Sequence, residues 1–158
     1  MAEKNPPYSV MVDAKWSDYN DHLTESYYLY IFSEACDDFY NMIGVNLEYR
    51  ANGLSYFTVE TNIQHKAEVK TGEWVHVTTQ ICATDDKRIH LVHKMFHTNS
   101  STLLAVCEQV LLHVNLTTRR ACSAPDVIMA ALARVESEQE FNSPEMLGSF
   151  RLGFKSKK

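Results

Sequence analysis

The sequence predicts an α+β fold: one long helix enclosed by a curled antiparallel sheet, with a short second helix near the end. Three observations carry this. Apolar residues recur at helical spacing over 26–43, at positions 28, 31, 32, 35, 39, 42 and 43. From 55 to 116 the pattern changes to a period of two, broken by turn residues at regular intervals. Six aromatic residues also crowd the first helix, from Tyr27 to Tyr40, and a helix that bulky is expected to be wrapped rather than laid on a surface.

The elements follow in order. Tyr8 to Val12 reads as an opening strand after the Pro6-Pro7 breaker. A polar turn, Trp16 to His22, leads into the helix over 26–43, with Thr24 as its expected N-cap, Glu25 suiting its positive end and Gly44 its stop. Four strands are expected over 55–65, 74–83, 88–97 and 103–116, with turns at Thr71-Gly72-Glu73, Asp85-Asp86-Lys87 and Thr98 to Ser101. Read consecutively, they form a four-stranded antiparallel meander. Ala124 to Val135 is a final helix with Ser123 as cap and Pro125 in its first turn, followed by a polar tail. The 158 residues form a single domain, 1–158, with its core over about 8–135. The open sheet edges favour pairing with a second subunit, as a homodimer or homotetramer.

Composition excludes several classes. At 45% apolar and 22% charged residues, neither disorder nor a membrane protein is indicated. A net charge of -5 argues against a nucleic-acid partner. No apolar run is long enough to span a bilayer, and Met1 to Pro7 does not read as a secretion signal, so no membrane partner and a cytoplasmic location are expected. The four cysteines, 36, 82, 107 and 122, are far apart without a CxxC pair and read as reduced thiols.

Chemistry concentrates in the turn before the long helix, where Asp18, Asn20 and His22 stand among Trp16, Tyr19 and Tyr28. Asp, Asn and His before a helix are also ordinary cap and turn residues. A helix N-terminus nevertheless offers preorganised N–H donors for a developing oxyanion. A carboxylate beside it can attack a carbonyl or activate a water. Glu34, in the middle of the helix, is a second carboxylate, better explained by surface exposure or subunit pairing.

The run Trp16-Ser17-Asp18-Tyr19-Asn20-Asp21-His22-Leu23, followed by Tyr28 and Ala35, resembles the W-x-D-Y-N-x-H-M pattern of hot-dog thioesterases related to 4-hydroxybenzoyl-CoA thioesterase. The resemblance extends through Tyr56 to Gly72, Asp86-Lys87-Arg88 and Thr117-Thr118-Arg119. In Ser55 to Thr61 and Asp85 to Arg88 the chain is most similar to betainyl-CoA thioesterases of carnitine catabolism. The resemblance implies the hot-dog fold, an acyl-CoA substrate, no metal or organic cofactor, and Asp18 as nucleophile or base, with Asn20 and His22 orienting it or the carbonyl. Thr24 stands where relatives often carry Asn.

The aromatic residues Trp16, Tyr19, Tyr27, Tyr28 and Phe57 are candidates for a cage around a quaternary ammonium group, although packing is the ordinary role of each. Arg88, Arg119 and Arg120 are candidates for the CoA phosphates. His90, His93 and His97 do not suit a metal: on a strand, positions 93 and 97 lie about 13 Å apart and 90 faces the other way. No G-x-S-x-G motif indicates a serine hydrolase. The competing readings are a thioesterase for an aromatic or medium-chain acyl-CoA, and a non-catalytic acyl-CoA-binding module.

Overall fold

The structure is a computed structural model and describes residues 6–139. Strand β1 (Tyr8–Met11) leads into a 3-10 turn (Ala14–Trp16) and then α1 (Glu25–Ile43). A short α2 (Leu47–Ala51) precedes β2 (Leu54–His65), β3 (Trp74–Thr84), β4 (Arg88–His97), β5 (Leu103–Asn115) and β6 (Arg120–Ala121), and α3 (Asp126–Glu138) follows. The 3-10 turn, α2 and β6 carry too few residues to show a period, so the sequence pattern does not reveal them.

The strands join in one sheet in the order β1-β3-β4-β5-β2, with β6 paired to β5. β1 runs antiparallel to β3, with Tyr8 opposite Val77 and Met11 opposite Trp74. Short turns make β3–β4 and β4–β5 antiparallel neighbours. At the first turn, Asp85 Oδ1 accepts the Lys87 and Arg88 N–H groups at 2.9 and 2.7 Å, and the Arg88 guanidinium lies 2.6 Å from Oδ2. Burial raises the Asp85 pKa, but these hydrogen bonds outweigh it and leave the carboxyl below its usual value.

The expected meander fails at β2. Instead of pairing with β3 it lies beyond β5, at the other end of the sheet. The connector over 66–73 is too long for a hairpin, and its hydrogen bonds go elsewhere. Lys66 and Ala67 donate to Leu104 O at 2.8 and 3.1 Å, while Val69 O accepts the Leu23 N–H at 2.9 Å.

α1 buries Tyr28, Ile31, Phe32, Ala35, Phe39 and Ile43 as the stripe predicts, adds Cys36 and Tyr40 to the buried side, and leaves Met42 half-buried. The residues gather into two compact units. One takes the chain up to Asp38 with Ile63–Thr79 and His93–Cys107; the other takes Phe39–Asn62, Gln80–Val92 and the chain from Glu108. In the first, Val12, Leu23, Ile31, Phe32, Val75 and Met95 belong to one apolar cluster. In the second, Tyr56 stacks on Tyr40 at 6.1 Å and meets His113 edge-on at 4.9 Å, while α3 buries Ile128 and Leu132.

Helix α3 starts at Asp126 with Pro125 in the cap position and no side-chain cap bond. Ser123, the expected cap, instead donates its hydroxyl to Asp86 Oδ2 at 2.6 Å. None of the four cysteines is joined in a disulfide. Among the described residues, no helix is long and apolar enough to cross a membrane.

Candidate active site

The turn before α1 is held by its own backbone. Ser17 and Leu23 form a bridge, Asp18 donates its N–H to His22 O at 2.8 Å, and Asp21 donates to Asp18 O at 3.2 Å. Asp21 sits at φ 61, in the left-handed region that Asp and Asn adopt more readily than other side chains. Thr24 then donates its N–H to Trp16 O at 2.8 Å, which returns the chain beside the turn just where α1 begins.

Asp18 organises this loop. Its Oδ1 accepts the Asn20 N–H at 2.8 Å and the His22 N–H at 3.2 Å. Both bonds fall on one oxygen, so Oδ2 carries neither. Asn20 and His22 therefore meet Asp18 through their main chains, not through the amide and imidazole that the sequence brings to mind. The Asn20 side chain is exposed. The His22 ring turns away, with Nε2 3.4 Å from Glu68 Oε2. The negative charge at the turn is felt by Tyr28: burial raises its phenol pKa, and the charges of Glu68 and Asp18 raise it further.

His22 also lines a cavity of about 290 Å³ with Glu68, Lys70, Glu73, His97 and Thr102. Here His97 Nδ1 accepts the Ser100 N–H at 3.2 Å, and its Nε2 lies 3.6 Å from Glu73 Oε2. The Lys70 N–H bonded to Glu73 is the main reason its carboxyl sits below the ordinary range. Sequence reasoning missed this cavity because its walls come from segments far apart in the chain: His22 before α1, the 66–73 connector, and the end of β4 with the turn that follows it.

The aromatic candidates separate. Trp16 stacks on Tyr27 at 5.7 Å, and Tyr30, which the sequence did not single out, completes a group at 5.5 and 6.1 Å from them. Tyr28 is buried, edge-on to His65 at 4.8 Å, and donates its hydroxyl to Ala67 O at 3.3 Å. Tyr19 is 93% exposed. Phe57 lies on β2, partly exposed. Arg88 is engaged by Asp85, whereas Arg119 and Arg120 are exposed at the β5–β6 turn. The strand histidines have separate partners: His93 bonds Thr79 Oγ1 at 2.8 Å, and His90 bonds Glu108 at 2.8 Å. Among the described residues, no three His, Cys, Asp or Glu side chains gather as a metal site.

Comparison with known proteins places the chain in a family. Residues 12–132 match the family model of the thioesterase-like superfamily. The chain is 42% identical over 139 residues to an L-carnitine dehydrogenase/betainyl-CoA thioesterase of Ruegeria pomeroyi, covering 87% of this chain and 28% of that protein. It thus spans little more than a quarter of such fused relatives. With a betainyl-CoA thioesterase of Pseudomonas aeruginosa it is 36% identical, over 94% of each chain. A putative thioesterase from Pseudomonas putida superposes with a TM-score of 0.76 at 33% identity, over 98% of both chains. A Staphylococcus aureus protein solved in complex with CoA superposes with a TM-score of 0.83 at 27% identity, over 94% of each. The chain therefore belongs to the thioesterase-like superfamily and has its α+β hot-dog fold.

Proposed function

We propose that the protein hydrolyses an acyl-CoA thioester to the free acid and coenzyme A, with betainyl-CoA as its substrate. The observation that carries this reading is the Asp18 carboxylate, fixed through Oδ1 by two main-chain N–H donors next to the start of α1. The first N–H groups of a helix lack intrahelical partners and carry the positive end of its dipole. A thioester carbonyl oxygen set against them gains charge stabilisation as it becomes an oxyanion. Asp18 Oδ2 then either attacks the carbonyl carbon or takes a proton from an attacking water. In the first case, loss of the CoA thiolate leaves an acyl-Asp18 anhydride that water cleaves to the free acid. In the second, the water attacks the carbon directly as the C–S bond breaks and the CoA thiolate leaves. A thiolate leaves without a strong general acid, because a simple thiol has a pKa of only about 8.5.

The substrate follows from the relatives named betainyl-CoA thioesterase, one of which matches over nearly its full length. Arg119 and Arg120, exposed side by side, are the cations we assign to the CoA phosphates. We assign the working form as an oligomer joined through β2, where Phe57 to Thr61 are exposed in succession at the end of the sheet.

Release of free thiol from betainyl-, benzoyl- and octanoyl-CoA tests the activity. Betainyl-CoA is expected to give the highest kcat/KM. Preference for benzoyl- or octanoyl-CoA would move the substrate to an aromatic or medium-chain acid, and release from none of the three would end the thioesterase reading.

A further inference from the structure

The rings of Trp16, Tyr27 and Tyr30 form a continuous aromatic surface, with centroids 5.5 to 6.1 Å apart. It is not closed: Tyr30 remains 45% exposed. Along α1, positions 27, 30, 34 and 38 share one stripe, being three or four residues apart. Glu34 and Asp38 therefore continue the line begun by the two tyrosines. Their field reaches Tyr8 on β1, whose phenol is raised first by burial and then by Glu34, Tyr30 and Asp38. The surface combines π faces with negative charge on the element whose first turn lies beside Asp18.

That combination selects a particular cation. A primary ammonium has three N–H donors and favours direct hydrogen bonds to carboxylates. A trimethylammonium has none, and its charge is spread over methyl groups. It is held by ring faces and a negative field without close ion pairing. We propose that the shelf formed by Trp16, Tyr27 and Tyr30, with Glu34 and Asp38 supplying the negative field, receives the trimethylammonium head of the acyl group. The proposal rests on the thioesterase reading of Asp18, and it gives Glu34 a role that neither exposure nor subunit pairing supplies.

The experiment compares betainyl-CoA with 3,3-dimethylbutyryl-CoA, which keeps the shape but replaces nitrogen by carbon. The wild type is expected to prefer the charged ester. Tyr30→Leu should reduce that preference by about two- to thirty-fold in kcat/KM, while Tyr30→Phe, which keeps the ring, retains it. Glu34→Gln, which removes part of the negative field, should reduce it as well. An independent readout needs no turnover: tetramethylammonium, against sodium at equal ionic strength, should shift the NMR indole signal of Trp16 and leave that of Trp74 in place. A wild type that hydrolyses neither ester removes the thioesterase reading alone, because the Trp16 shift still supports the shelf. Equal hydrolysis of the two esters, full preference in Tyr30→Leu, or an unmoved Trp16 signal would each overturn the shelf.

Discussion

Asp18 has a structural role and a proposed catalytic one, which one pair of substitutions separates. Its Oδ1 holds the turn, and its charge is assigned to catalysis. Asn keeps a carbonyl oxygen for the Asn20 and His22 N–H groups but lacks the charge, whereas Ala lacks both. Asp18→Asn is therefore expected to lower kcat by about 10²- to 10⁴-fold with an unchanged urea midpoint. Asp18→Ala should lose activity and stability together. A kcat near wild type in Asp18→Asn would assign the chemistry to another carboxylate. His113 illustrates the opposite case, a titratable group used for structure. Its Nδ1 donates to Cys122 O at 2.9 Å and its Nε2 accepts the Tyr49 hydroxyl at 2.6 Å, so the neutral ring satisfies both partners. Burial lowers its pKa below 6.5, and the Cys122 bond offsets this only in part. The sign follows: above 6.5 the ring is neutral in both states and its contribution is complete. As the pH falls below 6.5 the unfolded chain binds a proton that the folded chain resists, and stability declines. An NMR titration of the imidazole with a midpoint above 6.5 would reverse that sign.

Among the elements, β3 is protected in two different ways. β1 pairs with Trp74 to Val77 only. Further along the same edge, the Gln139 side chain takes both main-chain groups of Ile81: Oε1 accepts its N–H at 2.9 Å and Nε2 donates to its carbonyl at 2.8 Å. One amide thus imitates a strand neighbour and blocks an open edge. Gln139→Ala removes two partly buried neutral hydrogen bonds and is expected to cost about 1–2 kcal/mol in urea unfolding. No loss of stability would show that water replaces the amide at no cost. The bond could not be read from sequence, since Gln139 lies 58 positions from Ile81. Ser123 shows a related effect: it has the right identity for a cap, but the nearby Asp86 offers its hydroxyl a charged acceptor.

For the molecule as a whole, β2 is the open feature. It ends the sheet, and Phe57 and Val59 are 44% and 50% exposed although they alternate as one apolar face. If a second subunit covers them, Val59→Lys should weaken self-association. Losing the burial of one valine costs about 1.5 kcal/mol, or roughly tenfold in the dissociation constant, before the charge is counted. Sedimentation velocity checks this, and identical distributions for the wild type and Val59→Lys would place the interface elsewhere.

The sequence by itself determined the long helix and strands β1 to β5, with boundaries to within a few residues, because apolar periodicity records which side of each element meets the core. It also singled out the turn around Asp18, whose bonds from Asn20 and His22 to the Asp18 carboxylate close within four residues and so depend on local chemistry. Only the tertiary structure decided where β2 pairs, since the connector over 66–73 is bonded to Leu104 and Leu23 rather than folded back. It alone put Glu68, Glu73 and His97 in one cavity with His22. It also separated Tyr28, turned into the core, from Tyr27 and Tyr30, turned toward Trp16. Contacts between distant segments have no period of their own, so composition and spacing do not encode them.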